Sequence, residues 1–281
     1  MRKAILCTVL VLACVSSAFG DATVDLLKAA KDNAPLKVIE RLIKEGADVN
    51  AQDYDGKTPL IWAAYRNPNP EVMNALINAG ADVNAKDKTY GVTALMLAAG
   101  GNENPDVLNA LIKAGANVNV KDNDNETALT RAAHFNSNPE VVNALIKAGA
   151  DVNAKEKDDV TGLIWAAYRN PNPEVVNALI RAGADVNAKT KGGRTALMWA
   201  TQRLEPEVVN ALIEAGADVN AKYKDGMTAL MLAVQFTYNP EAVKALIKAG
   251  ADISAKDNSG KTALDYARTD GMKNIILEAA K

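Results

Sequence analysis

Few residues of this chain are of types that could carry out acid–base or metal chemistry, and their spacing argues against both. His134 is the one histidine among 281 residues, and the two cysteines are Cys7 and Cys14. A single histidine cannot supply a histidine-based zinc site, and no Ser-His-Asp set is evident. The sequence therefore predicts that the protein is not an enzyme and holds no metal and no cofactor.

Two segments imitate the end of a phosphate-binding loop without completing it. They are Asp-Gly-Lys-Thr at residues 55–58 and Ser-Gly-Lys-Thr at residues 259–262. The motif requires a glycine five places before its second glycine, and those positions hold Ala51 and Ala255. Both segments are better explained as turns that lead into a helix.

A unit of about 34 residues recurs through the chain and organises everything else. Seven glycines mark the copies, each within a Gly-Ala-[Asp/Asn]-[Val/Ile]-[Asn/Ser] signature: Gly46, Gly80, Gly115, Gly149, Gly183, Gly216 and Gly250. Their spacings are 34, 35, 34, 34, 33 and 34 residues. A fixed period in this range is typical of a solenoid, in which neighbouring repeats share one core.

The copy at residues 161–187 predicts two short helices and a glycine stop. Thr161 is suited to cap the first helix, and the Asn-Pro segment after it ends that helix. Asn172 and Pro173 suit the start of the second helix, and Gly183 suits the left-handed position that closes it. A unit this small cannot bury its own apolar face, so stacked neighbours must do so.

These residues resemble the ankyrin repeat. The shared Thr-x-Leu start occurs at Thr58/Leu60, Thr93/Leu95, Thr127/Leu129, Thr161/Leu163, Thr195/Leu197, Thr228/Leu230 and Thr262/Leu264. The resemblance implies an all-α ankyrin-repeat solenoid of helix-turn-helix pairs with β-turn fingers, about eight repeats including caps. The chain departs from the family by lacking the histidine after Thr-Pro-Leu, and we expect apolar packing to replace the polar links that this histidine makes.

The domain organisation follows from the repeats and from the first twenty residues. Residues 1–20 have a basic start, an apolar run and a small-x-small end, which predicts a signal peptide. Residues 21–50 are predicted to be an N-terminal capping repeat, residues 51–254 six full repeats, and residues 255–281 a C-terminal capping repeat. We expect an exported protein, periplasmic or secreted, without a transmembrane span. A lipid anchor at Cys14 is the alternative.

The resemblance also indicates where a partner would bind, namely on the concave face and the fingers. The candidate residues are Tyr54, Tyr65, Arg66, Tyr90, His134, Phe135, Tyr168, Arg169, Gln202, Arg203, Tyr223, Gln235 and Phe236. This set is rich in tyrosine, arginine and phenylalanine, which are enriched at protein interfaces. Residues 60–72 and 163–175 are identical. Duplication explains this identity, and the alternative is that both copies bind the same kind of group.

The expected function is a scaffold that binds a partner protein or peptide. Two alternatives remain open: an effector-like protein that binds a host protein, and an accessory subunit of an envelope enzyme. A row of finger lysines suggests that the partner is acidic at the contact. The net charge of −2 argues against nucleic acid, whose binding needs a basic stripe.

Overall fold

The computed structural model describes residues 21–202, 206–236 and 240–281, and within them the chain is built from pairs of short helices. It forms two compact units, unit 1 ending at Asp124 and unit 2 beginning at Asn125. The described residues contain no β-strand, only the isolated bridges Lys86–Thr93 and Lys155–Thr161 at the bases of two fingers. The prediction of an all-α repeat array is confirmed.

Unit 1 contains three helix pairs. In chain order its helices are α1 (Asp21–Lys31), α2 (Leu36–Lys44), α3 (Pro59–Arg66), α4 (Pro70–Asn78), α5 (Ala94–Gly101) and α6 (Pro105–Lys113). The first helix of each pair packs on the first helix of the next, and the second helices do the same. This is the arrangement that a stack of repeats requires.

Unit 2 continues the same pattern with five pairs. Its helices are α7 (Ala128–Phe135), α8 (Pro139–Lys147), α9 (Gly162–Arg169), α10 (Pro173–Arg181), α11 (Ala196–Ala200), α12 (Pro206–Glu214), α13 (Ala229–Phe236), α14 (Pro240–Lys248), α15 (Ala263–Tyr266) and α16 (Asp270–Ala279). Helix α11 is shorter than the other first helices of the full repeats, in the repeat that lacks one residue between its helices.

The helix caps in the copy at residues 161–187 are those that the sequence predicts. The side chain of Thr161 accepts a hydrogen bond from the backbone N–H of Ile164, and Asn172 accepts one from Glu174. Pro173 occupies the first position of α10, where its missing N–H costs nothing. Capped ends of this kind let helices of only eight or nine residues begin at fixed positions.

The repeated glycine ends the second helix of every pair but the last. Gly183 has φ of +86°, its N–H donates to Ile180 O, and the N–H of Ala184 donates to Leu179 O. These two hydrogen bonds satisfy carbonyl groups that the helix end would otherwise leave without a partner. Only glycine adopts this left-handed conformation without strain. The left-handed stop predicted from the spacing is confirmed.

The asparagine that ends the repeat signature links consecutive repeats. Asn153 Nδ2 donates to Gly183 O over 3.2 Å, and its Oδ1 accepts from the N–H of Asp185 over 2.8 Å. In unit 1, Asn50 makes the same two contacts with Gly80 and Asp82. The signature therefore combines the helix stop with a polar clamp on the next repeat.

A second set of asparagines lies in the loops between the helices and is buried. Asn102 Nδ2 donates to Ala64 O and Asn67 O, and Asn170 Nδ2 donates to Ala133 O and Asn136 O. The apolar packing expected at the missing histidine positions is present, since Ile61 and Ile164 are at most 3% exposed. Asparagine amides add polar links between repeats, because each bridges two carbonyls, one in the last turn of the preceding first helix and one in the loop after it.

The core is a continuous apolar layer between the two rows of helices within each unit. In unit 2 it contains Leu163, Val175 and Leu179, each at most 1% exposed, and the corresponding residues of the neighbouring repeats. The alanines on the first helices are also buried, so these helices approach each other closely. The large exposed side chains of the first helices lie at the C-terminal ends of these helices, where the candidate surface lies.

Candidate protein-binding surface

The candidate residues lie where the first helices end and at the finger tips. We call this the first-helix face and describe it separately for each unit. Five candidates are large apolar side chains that are strongly exposed: Tyr54 (90%), Tyr65 (42%), Tyr90 (58%), Phe135 (56%) and Phe236 (50%). Arg66 and Arg169 are exposed, while His134, Tyr168, Gln202, Tyr223 and Gln235 are partly buried. Arg203 lies outside the described residues.

In unit 2 the first-helix face carries a connected row of rings. The His134 ring stacks on Trp165 with centroids 3.9 Å apart and on Phe135 at 3.7 Å. Trp165 contacts Tyr168 at 6.3 Å, and Tyr168 contacts Trp199 at 4.4 Å. We call this set, together with Arg194 and Tyr223, the aromatic row.

Arg194 extends the aromatic row to the next finger. Its guanidinium lies 4.3 Å from the Trp199 ring centroid and 4.8 Å from that of Tyr223. Its Nη2 also donates to Tyr223 Oη over 3.3 Å. Sequence reasoning missed this residue because it precedes its helix cap and lies outside the two positions that follow the alanine pair.

His134 is held neutral within the aromatic row. Its Nε2 atom is buried and has no hydrogen-bond partner. Burial, followed by the charges of Arg169 and Arg131, lowers the pKa of His134 from 6.5 to about 4. At neutral pH this side chain therefore acts as an uncharged ring.

Carboxylates at the finger bases orient the tryptophans, which the sequence analysis also missed. Trp165 Nε1 donates to Glu156 Oε2 over 2.7 Å, and Trp62 Nε1 donates to Asp53 Oδ2 over 2.8 Å. The other Asp53 oxygen accepts from two N–H groups of its own finger. The Asp53 carboxylate thus fixes both its finger and the ring beside it.

Trp199 is the exception among the three tryptophans. The position nine residues before it holds Thr190, whose hydroxyl accepts from the N–H of Arg194 and does not reach the indole. Trp199 Nε1 is buried and has no partner. No group in the described part of the chain accepts a hydrogen bond from this indole N–H.

Unit 1 carries the same thirteen-residue segment in a different setting. Tyr65 lies against Gly101 of the next repeat, where any added Cβ would overlap the tyrosine ring. Trp62 has Lys31 at 5.0 Å and Lys57 at 5.3 Å from its ring centroid. The identical copies therefore present different surfaces, because the repeats on both sides differ.

The arginines of the first-helix face are not neutralised by the chain itself. Arg66, Arg169 and Arg194 stack on aromatic rings, and none has a carboxylate within 4.0 Å in the described residues. By contrast, Arg41 and Arg181 on the second helices pair with Glu45 and Glu174. The free positive charge of these arginines is confined to one face of the repeats.

Two of the finger lysines have a structural role. Lys86 Nζ donates to Lys121 O over 2.8 Å, and Lys222 Nζ donates to Lys256 O over 3.2 Å. These bonds connect neighbouring fingers within unit 1 and within unit 2. The side chains of these two lysines are therefore engaged within the array.

Three carboxylates of the C-terminal repeats have lowered pKa values, and each owes this to a local hydrogen bond. Hydrogen bonds from Ser254, Tyr266 and Thr262 lower the pKa values of Asp252, Asp257 and Asp265 respectively. The Asp257 bond in turn raises the pKa of Tyr266 to about 12. These are helix and finger contacts, whereas a general acid would need a raised pKa.

The described residues contain neither a metal-binding cluster nor a membrane-spanning helix. No cluster of three or more His, Cys, Asp or Glu side chains could hold a metal ion. No helix in the described ranges is long and apolar enough to cross a membrane. The segment predicted to be a signal peptide, with Cys7 and Cys14, lies outside them.

Comparison with protein families decides the assignment of the fold. Models of ankyrin repeats match residues 26–122, 64–156 and 129–223, and a further ankyrin repeat model matches residues 212–267. The chain belongs to the ankyrin repeat family. Ankyrin repeats are generally non-catalytic scaffolds for protein–protein interaction.

A solved ankyrin structure has the same fold. The crystal structure of the human ASB11 ankyrin repeat domain aligns with a TM-score of 0.72 and 22% sequence identity. The alignment covers 81% of this ankyrin chain and 98% of the human domain. No curated protein gives a significant sequence match.

Proposed function

We propose that this ankyrin repeat protein is a scaffold that binds a partner protein or peptide on its first-helix face and fingers. One observation carries the proposal. Among the described residues, six large apolar side chains are strongly exposed, and five of them lie on this face; the sixth is Leu277. Exposed apolar groups gathered on one face are typical of interaction sites.

The composition of the face supports the same proposal. Tyrosine, tryptophan and arginine dominate it, and these residues supply most interface hot spots. The rings of the aromatic row are held by stacking and by the Glu156 contact. A surface fixed before binding loses less side-chain entropy when it docks.

Affinity capture with matched variants tests the proposal. The bait is the full chain, compared with a face variant (Tyr65→Ala, Arg66→Ala, Tyr168→Ala, Arg169→Ala) and a control variant on the second helices (Arg41→Ala, Arg181→Ala). A protein captured by the wild type and the control but lost from the face variant supports the assignment. Equal capture by all three baits would place the interface elsewhere.

We also propose that the chain is exported, on the sequence features of residues 1–20. In this proposal the first and last helix pairs cap the array, since many of their side chains are charged and exposed. Fractionation of the native cell distinguishes a periplasmic scaffold from a protein released to act on a host. Recovery of an unprocessed chain from the cytoplasm would contradict export.

A further inference from the structure

We propose that unit 2 recognises an acidic segment of its partner protein, whose Asp or Glu carboxylates pair with Arg169 and Arg194. This inference rests on the protein-binding function proposed above and adds the chemistry of the partner. The occupant is an extended peptide segment that carries carboxylates beside apolar residues.

The first argument is the contrast between the two faces of the repeats. On the second helices, Arg41 and Arg181 lie within 4.0 Å of carboxylates of their own helix. Arg169 and Arg194 have no such partner in the described residues, although both lie beside other side chains of the aromatic row. The arginines of the aromatic row therefore carry positive charge without a carboxylate partner beside the exposed rings.

The second argument is preorganisation of the guanidinium groups. Arg194 lies between the rings of Trp199 and Tyr223, and its Nη2 bonds to Tyr223 Oη. The centre of the Arg169 guanidinium lies 5.1 Å from the ring centroid of Tyr168. A stacked guanidinium keeps edge N–H donors available, and their fork geometry matches a carboxylate.

The third argument is the absence of competing acids on the first helices. Helices α3, α5, α7, α9, α11 and α13 contain no aspartate or glutamate. Two finger carboxylates of unit 2 are already engaged, since Glu156 accepts from Trp165 and Glu126 pairs with Arg131 at 2.7 Å. A partner carboxylate would therefore meet unsatisfied donors and no repulsion from these helices.

The rings of the aromatic row indicate which partner residues flank the carboxylates. Tyr168 and Trp199 form the centre of the aromatic row, with exposed Phe135 at one end. Apolar residues of the partner would bury these rings, and the surrounding exclusion of water would strengthen the charged pairs. This combination fits an acidic peptide with interspersed apolar residues.

Nucleic acid fits the same surface less well. A phosphate backbone needs a continuous basic stripe, whereas the whole chain has a net charge of −2. Two separate arginines beside aromatic rings suit a few carboxylates better than a polyanion.

Two synthetic peptides test the inference. The probes are a twelve-residue peptide in which Glu alternates with Leu and Tyr, and the same peptide with every Glu replaced by Gln. Binding to the full chain is measured by fluorescence anisotropy. We expect the Glu peptide to bind at least about tenfold more tightly than the Gln peptide, since charge-assisted bidentate bonds are the stronger class.

Matched variants locate the site. Arg169→Gln with Arg194→Gln should weaken Glu-peptide binding about tenfold or more, while Arg41→Gln with Arg181→Gln removes the same charge and should change it less than twofold. Arg169→Gln alone repeats the test without disturbing the packing of Arg194. Arg169→Lys should restore only part of the affinity, because lysine keeps the charge and loses the fork.

Each contrary result has a distinct meaning. Failure of the Glu peptide to bind, equal binding of the two peptides, or equal losses in both double variants would overturn carboxylate recognition. The proposed scaffold function would then stand or fall on the affinity capture alone. Displacement of the Glu peptide by oligo-dT, with loss of oligo-dT binding in the Arg169→Gln/Arg194→Gln variant, would overturn the inference in favour of phosphate.

Discussion

The indole Nε1 of Trp165 donates to Glu156 Oε2 over 2.7 Å, and the two residues are nine positions apart in the chain. The same spacing links Trp62 to Asp53, and in the last repeat it links Tyr266 to Asp257. A finger-base carboxylate therefore orients an aromatic ring of the following first helix in both units. Trp199 lacks this acceptor because Thr190 occupies the corresponding position.

The first prediction concerns this exception. Thr190→Asp should stabilise the protein by about 1 kcal/mol, because it would give the buried Trp199 Nε1 an acceptor. The new carboxylate can still accept from the N–H of Arg194, as Asp53 accepts from Lys57. Thermal and urea unfolding measure the gain. In a Trp199→Phe background the same substitution should give none, and an equal gain there would refute the explanation.

The second prediction concerns the dependence of stability on pH. The folded state lowers the pKa of His134 to about 4, so the unfolded chain binds this proton more readily. The resulting loss of stability should begin as the pH falls through 6.5 and should be complete below about 4. His134→Asn should remove this part of the pH dependence, since no other histidine is present. Unfolding curves of both proteins across this range provide the test, and parallel pH profiles would contradict the assignment.

The third prediction concerns the buried asparagines between repeats. Asn170→Ala removes the amide bonds to Ala133 O and Asn136 O and the bond that Asn170 Oδ1 accepts from the N–H of Asn172, and it should cost roughly 1–3 kcal/mol. Asn177→Ala is a control, because Asn177 Nδ2 donates to the exposed side chain of Glu174 in the same helix. Chemical denaturation should separate the two variants by more than 1 kcal/mol. If both lose the same stability, these amides do not link the repeats.

The fourth prediction concerns the glycine stop. Gly149 has φ of +87°, a conformation that a β-branched residue adopts only with strain. Gly149→Val should therefore lower stability by at least about 1 kcal/mol. Gly192→Ala, at a glycine without positive φ, should be nearly neutral. An unchanged melting temperature in the valine variant would contradict the role of Gly149.

The parts of the fold that depend on local chemistry could be predicted from the sequence. Thr161, Asn172 and Gly183 act on groups within a few residues of themselves, so their types and spacing indicate their roles. Candidate surface positions could also be proposed, because the same two positions recur after each alanine pair, and their role in binding stays a prediction. Exposure of Tyr65 and Phe135 agrees with that placement.

The contacts between repeats could not be predicted in the same way. The roles of Asn170, Glu156 and Arg194 depend on which groups of another segment lie within hydrogen-bonding or stacking distance. The identical segments around Tyr65 and Tyr168 show the same effect, since Gly101 follows one and Trp199 follows the other. A repeat motif fixes the position of a side chain, while the neighbouring repeat fixes what it contacts.

Site-specific photo-crosslinking in the native cell tests the central claim most directly. A photoreactive phenylalanine analogue replaces Phe135 or Phe236 on the first-helix face, and Arg181 or Lys147 on the second helices serves as the matched control. We expect a discrete crosslinked partner from the first two positions and none from the control positions. A partner crosslinked only from the second helices would contradict the proposed binding surface.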